Sequence, residues 1–294
     1  MRSLTYLGIS LQKTVLGQGR PCPSCGCGDH NEIIDRKWAI TTLRRCARCR
    51  LLFRVPTTTD AENKKIYQAQ YQEGSTTELP EAGTLQQWMA TRFRGSPHDH
   101  SSYLAVLRAV GVTAGARVYD FGCSWGYGAF QLKAEGFAVE GYEIAETRAR
   151  FAAEKLGVQL RSPADVTDSY YDVFFSAHVM EHVPSVRAIL ALADRVLRPG
   201  GLFVAFTPNG STERRRRDPA GWHQQWGFVH PQLLDREWIE QLGQSSLILA
   251  DTSPYDLQTL GAGRSPGKFE GGELLVIIRK PLAPKTNEDS TSSA

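Results

Sequence analysis

Two cysteine pairs and one acid-flanked glycine turn hold the residues of this sequence whose types and spacing can do chemistry. Cys22-Pro-Ser-Cys25 and Cys46-Ala-Arg-Cys49 are C-x-x-C pairs with 20 residues between them. Each pair suits a tight knuckle, and two knuckles can turn four thiolates onto one tetrahedral ion. The spacing is that of a structural zinc ribbon and predicts Zn2+ held by Cys22, Cys25, Cys46 and Cys49. Cys27 is an alternative ligand at a poorer spacing. A single C-x-x-C can serve redox chemistry instead, but a second pair at this distance disfavours that. The other feature spans 117–143, RVYDFGCSWGYGAFQLKAEGFAVEGYE. An apolar strand through Val118 and Tyr119 runs into Asp120. A glycine turn follows (Gly122, Gly126, Gly128), then a helix over Ala129 to Glu135, then a strand from Ala138 to Tyr142 that ends on Glu143. An α/β domain builds a nucleoside pocket this way at the carboxyl edge of its sheet. Glycine lets the backbone approach the ligand where a Cβ would block it. Glu143 lies about 20 residues past the first glycine, where a carboxylate accepts hydrogen bonds from ribose hydroxyls.

The elements that position these residues follow from the flanking pattern. Tyr171–Ser176 reads as a buried strand, Val186–Leu197 as a helix and Leu202–Thr207 as the next strand. Leu104, Leu107 and Val110 recur at helical spacing, so the segment from Ser101 leads into the first strand as a helix, capped by Ser101 or Asp99. Glu146–Leu156 reads as a helix and Val158–Leu160 as a short strand. Pro231–Leu242 reads as a helix, with Pro231 admitted in its first turn. Leu247–Ala250 and Leu274–Ile278 supply the last strands, and the stretch between them reads as loop. Within the ribbon, Glu32–Leu43 reads as a hairpin with Trp38 and Ile40 as partial cover.

A dinucleotide site would read G-x-G-x-x-G. Here the second glycine is replaced by Ser124 and the third by Tyr127, which suits a diphosphate poorly. The turn resembles instead the first motif of class I S-adenosylmethionine-dependent methyltransferases, [DE]-x-G-x-G-x-G, standing as Asp120, Gly122, Ser124 and Gly126. Tyr171–Ser176 followed by His178-Val179-Met180-Glu181-His182-Val183 resembles the family's D-V-V-x-x-x-x-V-L-E-H-V segment. Leu197-Arg198-Pro199-Gly200-Gly201 resembles its L-K-P-G-G turn. Leu51-Leu52-Phe53-Arg54-Val55-Pro56, with a helix over Asp60–Tyr71, resembles the continuation found in zinc-ribbon methyltransferases. The resemblance runs from residue 21 to about 280. It implies a Rossmann-like, mostly parallel seven-stranded sheet flanked by helices, with a small N-terminal zinc ribbon. It also implies S-adenosyl-L-methionine as cofactor, bound through Asp120, Gly122, Ser124, Gly126, Glu143, Ile144 and His178.

Methyl transfer from a sulfonium asks mainly that the acceptor be positioned and, where needed, deprotonated. His178, just past the fourth strand, suits a base of near-neutral pKa; its plainer role is a hydrogen bond to backbone or cofactor. His230 opens the segment after strand five, where relatives carry a polar residue, and is a second catalytic candidate. Glu181 can orient neighbours and His182 can pack beneath the cofactor. Asp165 reads either as an adenine contact or as a solvated loop acid, and Cys123 as a packing residue. Trp222, His223 and Trp226 crowd one loop and read as substrate or lid contacts, or as a seal on the sheet edge. Arg214–Arg217 reads as a solvated loop or as a binder of a phosphate-bearing acceptor.

These residues divide the chain into 1–20 as an extended or partly ordered leader, 21–55 as ribbon, 56–100 as connecting helix and linker or lid, 101–280 as catalytic domain and 281–294 as a disordered tail. The expected activity is methyl transfer to a small-molecule or glycan acceptor such as a nucleotide-linked sugar. The competing class is an RNA base methyltransferase. A net charge of +3 over 294 residues and the absence of an N-P-P-Y-like signature after strand four argue against nucleic acid. No apolar run approaches the roughly 20 residues that cross a bilayer, and no secretory pattern opens the chain. A cytoplasmic location is therefore expected.

Overall fold

A computed structural model of the chain describes residues 2–69, 78–243, 247–251, 255–265 and 267–282. The expected tail at 283–294 and part of the expected linker, 70–77, lie outside the described residues. The chain opens with a helix, α1 (Arg2–Val15), within the segment expected as an extended or partly ordered leader. The ribbon follows as β1 (Glu32–Lys37), β2 (Thr41–Arg45) and β3 (Leu52–Val55). Its hairpin tip carries Trp38, which is 68% exposed and covers nothing. Next come α2 (Asp60–Ala69) and α3 (Ala82–Ala90). The latter is a helix within the expected linker, seated on the core through Leu85.

The larger half starts at α4 (Ser101–Ala109), whose first turn is held by Asp99 Oδ1 accepting from the Ser101 N–H at 2.8 Å. Strands and helices then alternate: β4 (Arg117–Phe121), α5 (Tyr127–Ala134), β5 (Ala138–Tyr142), α6 (Glu146–Leu156), β6 (Gln159–Leu160), β7 (Tyr171–Ala177), α7 (Val186–Val196) and β8 (Leu197–Pro208). After them come α8 (Thr212–Arg217), α9 (Pro219–Gln224), β9 (Gln232–Leu233), α10 (Arg236–Glu240), β10 (Leu247–Ala250), α11 (Leu257–Gly261) and β11 (Glu273–Arg279). The main sheet has the order β10-β11-β8-β7-β4-β5-β6. Pairings from β6 through to β8 are parallel, while β11 runs antiparallel to both β8 and β10. The chain reverses its direction of travel across the sheet between β4 and β7, and the crevice at the carboxyl ends of those strands is where such sheets bind ligands.

Period-two alternation sorts the strand residues onto two cores. Tyr119, Phe174, Phe203 and Val276 face one side, packed on Val186 and Val196 of α7. Val118, Phe175, Val204 and Ile277 face the other, packed on Leu104 and Leu107 of α4 and Leu132 of α5. The first core also contains Leu51, Phe53 and Val55 of the ribbon, so the ribbon is built into the same hydrophobic interior.

Three expectations are corrected in the ribbon-facing segment. Pro231–Leu242 is not one helix. Gln232 and Leu233 pair antiparallel with Phe53 and Leu52, making β9 the fourth strand of the order β1-β2-β3-β9. The helix starts only at Asp235, whose carboxylate caps the Trp238 N–H at 3.0 Å and pairs with Arg45 Nη1 at 2.7 Å. Arg214–Arg217 lies in α8, capped by Ser211, rather than in a loop. Trp222 and Trp226 are each 1% exposed and pack with Leu43, Leu52 and Leu233 between ribbon and larger half. Their indole N–H groups donate to Gly210 O at 3.1 Å and to Asp35 Oδ2 at 2.8 Å. They seal the ribbon against the sheet edge. The segment between the last two strands, read as loop, contains α11, capped by Asp256.

Candidate functional site

The glycine turn opens onto a cavity of about 620 Å³ at the carboxyl ends of β4 and β7, within the size range of small-molecule sites. Gly122 has φ +84°, and a Cβ built there would sit 2.3 Å from Val179 Cγ2. Only glycine fits, because the turn presses against the segment after β7. Ser124, where the resembling family carries glycine, has φ +50°. It occupies the left-handed region that glycine enters freely and serine enters under strain. Its N–H points at Glu143 Oε2, 3.1 Å away.

Glu143 ends β5 and is gripped from several directions. Oε1 accepts from the Ala145 N–H at 2.8 Å and from Arg148 Nη2 at 2.8 Å and Nε at 3.2 Å. Asp120, 3% exposed, lies across the turn. Burial, reinforced by the nearby Glu143 charge, pushes its carboxyl up to about 7. Ile144 lines the cavity, and its carbonyl accepts from Gln68 Nε2 of α2 at 2.9 Å. That contact brings α2, with Asn63 and Tyr67, over the opening. Cys123 packs beside Gly141, and its buried thiol is pushed well up, consistent with the packing role expected of it. Asp165 is exposed and does not line the cavity, which favours the solvated-acid reading.

His178 stands at the opposite wall. Its Nε2 is 2.8 Å from Glu273 Oε2 and its Nδ1 is 3.6 Å from Glu181 Oε1. Burial alone would lower its pKa, but the hydrogen bonds and charges of Glu181 and Glu273 win and raise it to about 10. That direction runs against the near-neutral base expected at this position and favours a ring held between two carboxylates. Glu273 also accepts from Tyr103 Oη at 3.0 Å and from Tyr255 Oη. Glu181, 1% exposed, takes the Thr207 hydroxyl on Oε2 at 3.0 Å. Burial would raise this acid, but His178 and His182 pull it down to about 2. His182 is driven to about 4 by burial and is neutral. His230 does not line the cavity but packs edge-on against His182, ring centroids 4.4 Å apart.

Sequence reasoning missed Arg148, His100, Tyr103 and Glu273. Arg148 had a signal: with Ala152 and Leu156 it occupies the buried stripe of α6, where an arginine needs a carboxylate. His100 sits where a Cβ on Gly128 would come within 2.9 Å of its ring, and burial holds it at about 4. Glu273 had none, since its partner His178 is 95 positions away.

In the ribbon, the sulfurs of Cys22, Cys25, Cys46 and Cys49 all lie within 4.8 Å of one another. Cys22 and Cys49 are 3.6 Å apart and Cys25 and Cys46 3.5 Å, close to the roughly 3.8 Å edge of a tetrahedron with Zn–S of about 2.3 Å. The two knuckles repeat each other. Cys22 N donates to Cys27 O and Gly26 N to Cys22 O, while Cys46 N donates to Leu51 O and Arg50 N to Cys46 O. The Cys22 hydrogen bond pulls the Cys49 thiol down to about 5 and pushes Cys22 up, while burial pushes Cys46 up. Cys27 lies outside the cluster, with its sulfur on Asp29 O at 3.5 Å. The donor set and spacing fit zinc.

Comparison with known proteins bears on the same region. A methyltransferase domain family matches residues 98–246. The chain is 28% identical over 190 residues to a ubiquinone biosynthesis O-methyltransferase of Methylobacterium sp. (strain 4-46), covering 58% of this chain and 75% of that protein. It is 31% identical over 150 residues to a sterol 24-C-methyltransferase of Gibberella zeae, covering 44% of this chain and 38% of that one. Among solved structures, phosphoethanolamine N-methyltransferase 2 of Haemonchus contortus in complex with S-adenosyl-L-methionine superposes with a TM-score of 0.48 at 15% identity, covering 78% of this chain and 62% of that chain.

Proposed function

Because the chain belongs to the class I S-adenosylmethionine-dependent methyltransferases, we propose that it methylates an oxygenated small molecule or glycan, such as a nucleotide-linked sugar, inside the cavity between β4 and β7. The observation that carries this reading is the convergence of Gly122, Ser124, Glu143 and Ile144 on that one cavity. When bound, S-adenosyl-L-methionine supplies a sulfonium-activated methyl group open to in-line attack. Glu143 is suited to hold its ribose, Ile144 to flank the adenine, and Gly122, Ser124 and Gly126 to shape the turn around its amino-acid end. Asp120 is buried beside the turn, and a cationic group bound near it would draw its carboxyl into the charged form.

The acceptor side is polar. His178, Glu273 and Tyr103 form one hydrogen-bonded wall. His178, held between Glu181 and Glu273, is suited to set positive charge beside an acceptor oxygen. His230 serves the site through its contact with His182. Arg214 pairs with Asp218 at 2.8 Å and Arg217 with Glu270 at 3.6 Å, while Arg215 donates to Ile34 O at 2.8 Å. Those contacts support a bracing role for α8 rather than a phosphate clamp. Zn2+ on Cys22, Cys25, Cys46 and Cys49 would hold the ribbon in shape. No helix among the described residues is long and apolar enough to cross a membrane.

The test is incubation with methyl-labelled cofactor and a panel of sugar nucleotides, free glycans, phenolic small molecules and RNA. Label in a sugar or another oxygenated small molecule is the expected result. Label confined to RNA would overturn the acceptor class.

A further inference from the structure

We propose that Glu181, His182 and His230 form a second metal site, for a divalent first-row transition ion, whose open positions take an oxygen of the acceptor. The metal part stands on geometry alone; the acceptor part rests on the methyltransferase reading above. One donor atom from each of the three residues lies within 4.8 Å of the other two, and His182 Nε2 is 3.8 Å from Glu181 Oε1. A modest closing of side chains brings such a triad to the roughly 2.0–2.2 Å of metal–nitrogen and metal–oxygen bonds.

The tautomers point the same way. His182 Nδ1 lies 2.8 Å from Val229 O, and His230 Nδ1 lies 2.5 Å from Gln225 O. A carbonyl only accepts, so both Nδ1 atoms must carry the proton and both lone pairs belong to Nε2. Fixing a histidine by Nδ1–H to a backbone carbonyl is the usual support of an Nε2 metal ligand. The carboxylate is equally set: Glu181 is 1% exposed, and its other oxygen is taken by Thr207.

The donor set selects the ion. Two imidazole nitrogens and one carboxylate suit Zn2+, Fe2+, Co2+ or Mn2+ better than Mg2+ or Ca2+. Three protein ligands leave positions open, as in catalytic rather than structural sites. His182 lines the cavity, which turns the open side toward the acceptor. The ribbon holds the third ligand in place. Arg54 N donates to Pro231 O at 2.7 Å, and Arg54 Nη1 donates to Gly227 O at 2.7 Å and Phe228 O at 3.0 Å. The segment carrying His230 is thereby clamped just before it enters β9.

The test uses the full chain with its ribbon filled by zinc, titrated with Co2+ and followed by calorimetry and visible absorption. The expected result is one further equivalent of Co2+, with the weak bands of nitrogen and oxygen ligation and none of the intense thiolate bands that exchange into the ribbon would give. Affinity should fall at least about tenfold in His230→Ala and in His182→Ala, with ribbon zinc retained as proof of folding. Acetohydroxamate, a bidentate oxygen donor, should change the spectrum of the bound Co2+. Absence of a second equivalent, or binding unchanged in both variants, overturns the site; a spectrum indifferent to acetohydroxamate overturns its open positions. S-adenosylhomocysteine binding is measured on the same samples. Cofactor product bound without Co2+ sinks the metal site alone, and Co2+ bound without it sinks the methyltransferase reading alone.

Discussion

Replacing Glu143 by glutamine tests the cofactor site with little change of shape. A carboxylate offers about four lone-pair sites. Oε1 already receives Ala145 N and two nitrogens of Arg148, whereas among the described residues Oε2 receives Ser124 N. The spare acceptor capacity is thus on Oε2, beside the turn, and one ribose hydroxyl can use it directly. A hydrogen bond to a charged group is worth about 1.5–3 kcal/mol, or roughly 10- to 150-fold in Kd. A second hydroxyl must displace Arg148 and adds less than a second full bond. Glu143→Gln should therefore weaken S-adenosylhomocysteine binding roughly 10- to 150-fold by calorimetry. Glu143→Ala should weaken it further and also lower stability, by about 3–5 kcal/mol, because it leaves the buried Arg148 charge without its carboxylate. Thermal unfolding of the same samples separates the two effects. A glutamine variant that binds within about threefold of wild type and melts at the same temperature would refute the placement of the ribose.

Asp120 makes the site pH-sensitive. Its folded pKa, about 7, stands above the ordinary 3.8, so the stability it contributes is present at low pH and lost as pH rises toward and through 7. The loss is at most about 4 kcal/mol. A cationic cofactor group favours the carboxylate, so affinity for S-adenosyl-L-methionine should rise between pH 6 and pH 8 in wild type and stay flat in Asp120→Asn; equal affinity at both pH values in wild type would count against the assignment. Ser124→Gly removes left-handed strain of about 1–2 kcal/mol and returns about 0.5–1 kcal/mol as chain entropy. A net gain of about 0.5 kcal/mol should appear as a higher urea midpoint, and a lower midpoint contradicts the strain. Cys22→Ser should lose the ribbon's zinc by metal analysis while Cys27→Ser keeps it; the opposite pattern would reassign the ligand set.

The parts of this molecule legible in its sequence are those fixed by local backbone demands. Gly122 must be glycine because nothing larger fits against Val179, and the two knuckles need their cysteine spacing whatever surrounds them. Strand alternation in Val118–Phe121 and Tyr171–Ala177 follows from having a core on each face. The failures share a different cause. Gln232 and Leu233 form a strand only because Leu52 and Phe53 lie beside them, about 180 positions earlier. The setting of His178 is shared between Glu181, three positions away, and Glu273, 95 positions away, and only the first was within reach of a local reading. The tryptophans at 222 and 226 have the amphipathic character of ligand contacts, and only the ribbon's arrival turns them into interior residues.

The fourth strand of the ribbon sheet has a consequence for synthesis on the ribosome. The cysteine ribbon emerges before the main sheet, yet the open hydrogen-bonding edge of β3 stays bare until residue 233 has been made. Until then, Leu43 and Leu52 have no tryptophan face to sit against, and a bare strand edge invites pairing with another chain. A fragment cut between the two halves should therefore clump when expressed alone, metal or no metal, and recover solubility when the missing piece is supplied in trans.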